Sequence, residues 1–431
     1  MASFLQLLRQ NRNYRYMWMG QVVSEVGDHF NNIAVFSLAM HVTGSGLVVT
    51  GVMLARAIPA ILAGPIAGVT LDRFDRKRIM ILSDVVRAAF ALAFILTLSR
   101  NDPALLYLLS GLLMFASPFF SSGRGAILPV IASPAELHTA NSLTQTTQWT
   151  TLTIGTFLGG LSASQLGFAW AFVFNSASFL FSACCISRLR VPGGSFKAER
   201  SDLSEDRVMR PFHEYAEGLR YMKSFPLILG IGLINVGWAS GGGAAQILFP
   251  LFGEQVFGLG PAGTGILWGF AGLGLLSGGV VGHRLGKKLS FDGYKTAIAV
   301  CYVIHGGAYV LFSQMPTFSL ALAFMAISRA AVGVSSVLNF SQLLQHVSND
   351  YRGRVFATIE TMTWATMMLS MMGAGIASQS FTPRQIGAIA GVLSSLTAVF
   401  WGWAHWSGKL PEPEPLGVEP EEVEIHGNPR S

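Results

Sequence analysis

Charge is scarce in this sequence. Asp, Glu, Lys and Arg make up 12% of its 431 residues, against 51% hydrophobic, and mean hydropathy is +0.48. That leaves too little polar surface to enclose a soluble globule of this length. Cysteine is nearly absent too: Cys184 and Cys185 are adjacent and Cys301 stands alone, so there is no spaced disulfide or metal framework, and the three read as packing residues. No Walker motif, zinc signature or nucleophile elbow occurs, which removes the support for ATP-driven work, metal-dependent hydrolysis or acyl transfer. The expectation is a protein that is not an enzyme and has no cofactor.

What is present is apolar sequence in runs of about 20 residues, each able to cross a hydrocarbon layer of roughly 30 Å as a helix. Twelve such spans are read at 15–42, 46–71, 79–99, 104–128, 141–165, 168–189, 225–252, 262–283, 293–313, 317–342, 355–378 and 384–407. The first follows a basic, aromatic lead-in (Arg9, Arg12, Tyr14, Arg15) without a cleavage pattern, and is read as a retained span rather than a signal peptide. The fold class expected is an all-α membrane protein. Arg100 and Arg384 lie in loops of one side, and Arg56, Arg87, Arg124 and Arg329 lie within spans; every other Lys and Arg falls in the opposite loops, the central linker or the termini. By the positive-inside pattern both termini are cytoplasmic, in a multi-pass protein of the plasma (inner) membrane. The net charge of +6 is then topological and gives no reason to expect a nucleic-acid partner.

The chain divides at its middle. Residues 1–189 form one six-span half and 225–407 the other, joined by a polar linker, 190–224, and followed by an acidic, proline-rich tail, 408–431, expected to be disordered. In the linker Phe212, Tyr215, Leu219 and Met222 fall at helical spacing opposite Arg207, Arg210, Glu214 and Arg220, the pattern of a helix lying at the membrane surface. An offset of 215 lays QTTQWTT (from Gln145) over ETMTWATM (from Glu360), so that Trp149 meets Trp364 and Gly160 meets Gly375; an offset of 210 lays GVTLDRFDRKR over GGVVGHRLGKK. Two six-helix pseudo-repeats of this kind are an architecture of secondary transporters, with the substrate site between the halves.

The first span is the least apolar. In SEVGDHFNN (Ser24 to Asn32) and just before it, Gln21, Glu25, Asp28 and Asn32 fall within about 60° of one another around a helix, with His29 on the flank. A charged side chain at mid-bilayer costs about 2.5–3.5 kcal/mol on insertion scales, so such a stripe is expected to face a wet cavity or a cation, and Arg56 in the next span is the nearest by sequence. Protonation of a carboxylate responds to burial and to neighbouring cations, so carboxylates in a cavity that opens alternately to two sides can take up a proton on one and release it on the other. Asp28 or Glu25 is the expected titrating group, and Glu360, at the repeat position of Gln145, a second candidate. A structural polar network is the competing reading of the stripe.

GVTLDRFDRKR resembles the loop between spans two and three of the major facilitator superfamily. Gly68, Asp72, Arg73, Arg76 and Lys77 match its pattern, and Asp75 replaces the second glycine in a form similar to the drug:proton antiporter branch that includes macrolide and siderophore exporters. Gly27-Asp28, EGLRYMKSFP and RGRVFAT (from Arg352) agree with that branch. The resemblance implies the twelve-helix major facilitator fold, a small-molecule substrate exchanged for protons, and a conformational latch in which Asp72 faces the start of the eleventh helix, around Arg352 and Arg354, in the outward-open state. In the fifth span GTFLGG resembles the antiporters' glycine-proline motif, with Thr156 where proline is expected.

The reading that follows is proton-coupled export of amphipathic molecules by a monomer in the bilayer. Thirty phenylalanines, sixteen methionines and nine tryptophans suit a large apolar cavity. The alternatives are a divalent metal transporter, with Glu25, Asp28 and His29 as ligands, a lysophospholipid transporter of the same fold, or a non-transporting membrane receptor or intramembrane enzyme.

Overall fold

The computed structural model describes residues 4–99, 102–191, 196–197 and 211–413. Among these there are fourteen α-helices and no strand: α1 (Phe4–Gln10), α2 (Arg12–Thr43), α3 (Gly46–Arg73), α4 (Arg76–Ala93), α5 (Pro103–Ile131), α6 (Pro134–Leu166), α7 (Phe168–Ser187), α8 (Pro211–Ser224), α9 (Pro226–Leu251), α10 (Gly260–Gly286), α11 (Phe291–Gln314), α12 (Phe318–His346), α13 (Asn349–Ala377) and α14 (Pro383–Trp406). A 3-10 turn, Phe94–Leu98, prolongs α4, and a π turn, Phe252–Val256, prolongs α9.

Local chemistry sets the helix ends. The Asn11 side chain accepts from the Tyr14 N–H at the start of α2, and Gly44 closes that helix in the left-handed conformation at φ 61°. Asp102 and Pro103 open α5. A reciprocal Ser133/Glu136 capping box with Pro134 at the first position opens α6 several residues before its apolar stretch begins.

The twelve spans are α2–α7 and α9–α14. Nine of them are long and apolar enough to cross a membrane on composition alone. The other three, α2, α6 and α13, are the helices that carry SEVGDHFNN, QTTQWTT and ETMTWATM. Helices α2–α7 start at residues 12, 46, 76, 103, 134 and 168, and α9–α14 at 226, 260, 291, 318, 349 and 383, each 214 or 215 positions later. Packing repeats with them. Against α2 lie α6 and α7, and against α9 lie α13 and α14; α5 packs on α3 and α4 as α12 does on α10 and α11; α4 meets α7 as α11 meets α14. The fold is two copies of one six-helix unit. The 210 offset read at the loops is out of register with the helices by about one turn.

The halves meet along two related seams, α6 on α10 and α3 on α13. In the first, a Cβ built on Gly160 would lie 2.6 Å from the Pro261 carbonyl oxygen and 2.7 Å from Gly265 Cα, so two backbones touch there and only glycine fits. In the second, a Cβ on Gly375 would lie 2.0 Å from Thr50 Oγ1. An offset of 215 carries Gly160 to Gly375 and relates Gly265 to Thr50, so these are one contact made twice.

Both seams lie toward the ends of α6 and α13 remote from the face on which α2 starts and α14 finishes, hereafter the terminal face. The buried apolar residues sort the same way. One large cluster, with Ala39, Val49, Phe249, Leu267 and Met371, joins the halves. Toward the terminal face there are instead two clusters, one around Tyr14, Met80, Ile127 and Ile186 of the first half and one around Ile231, Tyr294, Leu338 and Val355 of the second. A shared core at one end and separate cores at the other describe a molecule cleft from the terminal face.

Helix α8 lies against α9 and α13 at the terminal face. Its Gly218 meets Thr358 and the Arg354 carbonyl, Met222 is fully buried, and Glu217 pairs with Arg354 at 3.1 Å. Arg207 and Arg210, expected on its polar side, lie outside the described residues, as does the tail beyond 413. The first tail residues are docked: Leu410 is 4% exposed in the second half's cluster, and its carbonyl accepts from Lys295 Nζ at 3.2 Å. The boundary expected at 408 therefore falls inside a packed segment.

Candidate functional site

Glycine sets the rotation of α2. Gly20 and Gly27, two turns apart, face α7, where a Cβ on Gly27 would lie 2.1 Å from Ser178 Oγ and 2.8 Å from Asn175 Oδ1. With that face held against α7, the positions of Gln21, Glu25 and Asp28, about 80–160° around the helix from the two glycines, turn toward α5 and α6. A row of hydrogen bonds then joins α2 to α6: Tyr14 Oη donates to the Ala140 carbonyl at 2.9 Å and Trp18 Nε1 to Thr147 Oγ1 at 2.8 Å.

Glu25 ends this row and is its hub. Its Oε1 accepts from Gln21 Nε2 at 2.9 Å and from Arg124 Nη1 of α5 at 3.1 Å, and its Oε2 accepts from Thr151 Oγ1 of α6 at 2.9 Å. The pair with Arg124 is only partly shielded, at 19% and 15% side-chain exposure. Glu25, Asp28 and His29 line a cavity of about 330 Å³ with Gln148, Trp149 and Leu152. Asp28 has no hydrogen-bond partner among the described residues, and Arg56 and Arg87 act on it electrostatically.

Arg56 does not reach Glu25. It donates to Asn32 Oδ1, lies over the Phe36 ring at 5.6 Å, and leaves Nη1 without a partner. The cation expected for the stripe is thus shared out: Arg56 serves Asn32, and Arg124, which lies far away in sequence, serves Glu25. Nor do Glu25, Asp28 and His29 gather as a metal-ligand set, because the His29 side chain packs on Gly155, 3.0 Å from a Cβ built there. Among the described residues no cluster of three such groups exists.

The GTFLGG motif serves both sides of α6. Gly155 and Gly159 admit His29 and Phe30 of α2, and Gly160 meets α10. Thr156 keeps its backbone N–H and donates its hydroxyl to the Leu152 carbonyl at 2.7 Å, an oxygen that proline at this position would leave without its helical donor.

A second buried ionic group escaped the sequence reading. Asp84 and Arg87 pair within α4, and the guanidinium lies between the rings of Phe120 and Phe179 at 4.6 and 4.3 Å. An aspartate three residues before an arginine inside an apolar run, as in SDVVR, was the available signal. Glu360 on α13 is exposed, and no hydrogen bond or cavity lining links it to the stripe.

At the terminal face no hydrogen bond or ion pair among the described residues joins Asp72 to its expected partner at the start of α13. Asp72 and Arg73 are exposed, and nothing comes within 4 Å of a Cβ on Gly68. Arg352 donates instead to the carbonyls of Leu344 and Val347, and Arg354 to Glu217. Arg76 Nη1 donates to the Ala126 carbonyl and Lys77 Nζ to that of Leu189, tying α4 to its own half. Asp75, the departure from the family pattern, caps α4: its Oδ1 accepts from the Arg78 N–H and its Oδ2 from the Phe196 N–H, both at 3.0 Å.

Twelve spans in two six-helix repeats are an architecture of membrane transporters. The chain belongs to the Major Facilitator Superfamily, which it matches over residues 17–371. It is 26% identical to the multidrug efflux pump Tap of Mycolicibacterium fortuitum, over 81% of this chain and 85% of that one, and 22% identical to macrolide efflux protein A of Streptococcus pyogenes, over 85% and 89%. Its fold is shared by a bacterial homologue of the human lysosomal transporter Spinster, in an inward-facing and unoccupied conformation, at 14% identity and a TM-score of 0.67 over 92% of this chain and 98% of that one.

Proposed function

We propose that this transporter exports amphipathic small molecules in exchange for protons, as a monomer in the plasma membrane with its terminal face in the cytoplasm. The observation that carries the reading is the pair of carboxylates on one cavity wall: Glu25, held by three donors, and Asp28, held by none. Asp28 can gain or lose a proton without breaking a hydrogen bond. Glu25 cannot, since a proton on it cancels the charge that holds Arg124, and release of Arg124 changes the link between α2 and α5. Proton occupancy and helix position are thereby coupled through one contact. The cargo class is supported by the half-exposed Trp149 and Trp364, at repeat positions on α6 and α13, and by the efflux function named for Tap.

In this reading the cleft is the inward-open state, with the two glycine seams as the closed outer gate. Asp72 meets the start of α13 only when the cytoplasmic side closes, which accounts for the missing bond between them among the described residues. Reconstituted vesicles with an imposed pH gradient test the coupling. Glu25→Gln together with Asp28→Asn removes both titrating groups, so gradient-driven accumulation of a transported dye should vanish while downhill exchange persists. Full accumulation by that variant would remove both carboxylates from the coupling and leave Glu360 as the remaining candidate.

A further inference from the structure

Four arginines, Arg56, Arg87, Arg124 and Arg329, lie inside the spans away from the helix ends, and three have acids to answer them. Arg87 pairs with Asp84, Arg124 with Glu25, and Arg56 is in electrostatic reach of Asp28. Arg329, at the middle of α12, has none. It is 7% exposed, its Nε has no partner, and among the described residues no carboxylate lies within 4.0 Å and no hydrogen bond reaches its guanidinium. Its one ring contact is Phe249, at 5.8 Å. A buried guanidinium left in this state is costly, because the lost hydration is not replaced.

Two polar groups on α11 stand beside it. His305 (2% exposed) and Tyr309 (3%) each interact electrostatically with Arg329, and their rings are 6.2 Å apart. The His305 Nδ1 lies 2.7 Å from Ser328 Oγ and 3.3 Å from the Ser328 carbonyl oxygen; Nε2 carries the ring proton when the hydroxyl donates, and is an acceptor when Nδ1–H donates to the carbonyl. Nε2 and Tyr309 Oη are both without partners. The cluster therefore presents donors from Arg329 and Tyr309, a His305 ring that adds a third when Nε2 is protonated, and no anionic acceptor. The first half has no counterpart: the positions that lie 215 earlier than Arg329, Tyr309 and His305 hold Met114, Phe94 and Phe90.

We propose that Arg329, His305 and Tyr309 form a binding site for an anionic group of the carboxylate class in the second half of the transporter. A guanidinium presents paired N–H donors suited to a carboxylate, and the flanking donors add direction. That chemistry is shared by two sources, a carboxylate carried by the cargo and a free small anion. The assignment rests on the second half alone and goes beyond the proton coupling proposed for the first.

The test uses the full chain, purified in detergent in Tris–HEPES buffer free of chloride and carboxylates, with sodium benzoate as probe and benzyl alcohol as its neutral match. Binding is read by calorimetry and by the fluorescence of Trp268, whose ring lies 4.7 Å from Phe249. Saturable benzoate binding, no binding of benzyl alcohol, and at least tenfold weaker benzoate binding in Arg329→Met are expected; methionine is the residue the repeat accepts at this place. Tyr309→Phe, which removes one hydroxyl and should fold normally, is expected to weaken binding about threefold to tenfold. Chloride that displaces benzoate identifies a free-anion site, and benzoate that stays bound in excess chloride identifies a site for a cargo carboxylate. Glu25→Gln with Asp28→Asn should leave benzoate binding intact, so failure of the coupling proposal and failure of this one are distinguishable. No saturable binding of benzoate or chloride to the wild type, or equal affinity in wild type, Arg329→Met and Tyr309→Phe, would overturn the assignment.

Discussion

Gly160→Ala should open the outer gate. The added Cβ would lie 2.6 Å from the Pro261 carbonyl oxygen and 2.7 Å from Gly265 Cα, and both obstacles are backbone, so no rotamer change relieves them. An ordinary contact needs the two helices to separate by several tenths of an ångström, and overpacking of this kind costs about 1–3 kcal/mol. That cost falls only on the state in which α6 and α10 touch, so the ratio of closed to open seam should drop by about 5- to 150-fold. Gly375→Ala is a somewhat gentler version, since the Thr50 hydroxyl it meets can turn away, although Thr50 Cβ, 2.8 Å from the added Cβ, cannot and the helices must still separate slightly. Spin labels at Ser164 and Ser380, exposed near the outer ends of the two halves, would read the change in a cysteine-depleted background. The Gly160→Ala distance distribution should lengthen, and more than that of Gly375→Ala. An unchanged distribution in well-folded Gly160→Ala protein would mean that the helices reposition at no cost and that the backbone contact does not hold the gate.

Asp75→Ala removes the cap of α4 and the tie to Phe196, and should lower stability by about 1 kcal/mol, seen as a lower melting temperature with transport retained. Leu410→Ala empties a buried position in the second half's core and should cost about 2–4 kcal/mol, whereas deletion of residues 414–431 should leave melting and flux unchanged; equal effects would place the docking elsewhere. Asp72→Asn should shift the balance further toward the cytoplasm-open state by no more than the ~1–2 kcal/mol of a carboxylate at a helix N-terminus, read as distances between labelled terminal-face ends.

Helix positions were legible because the membrane imposes length and polarity together. The starts of α3 and α7 coincide with the apolar stretches at 46 and 168, and α6 begins seven residues before its stretch at 141 only because a capping box extends it beyond the hydrocarbon. The 215-residue repeat was legible in QTTQWTT and ETMTWATM, where tryptophan is scarce enough to give the register; glycine, with 48 residues, is not, and in the glycine-containing loops the offset of 210 was misplaced. Partner choice was not legible. Arg56 is close to the stripe in sequence, yet Glu25 finds Arg124, 99 residues away, because the glycine face of α2 decides which neighbours the stripe meets. The short helix α1 and the Asp84–Arg87 pair were missed for a related reason: one is too brief for a periodic pattern, and the other takes its meaning from the two rings that other helices bring to it.

The contact between Gly160 and Gly265 also has a mechanical meaning. From Gly160 back to Pro134, α6 runs 26 residues, a rigid arm of about 39 Å. With the touching backbones as fulcrum, a rocking of about 10° carries the far end of the arm through roughly 7 Å. Sub-ångström clearance at the fulcrum is thus converted into an aperture wide enough for an aromatic ring. The bulkiest cargo the protein can pass would then be set by how far two glycines can tilt against each other, more than by the size of any pocket along the way.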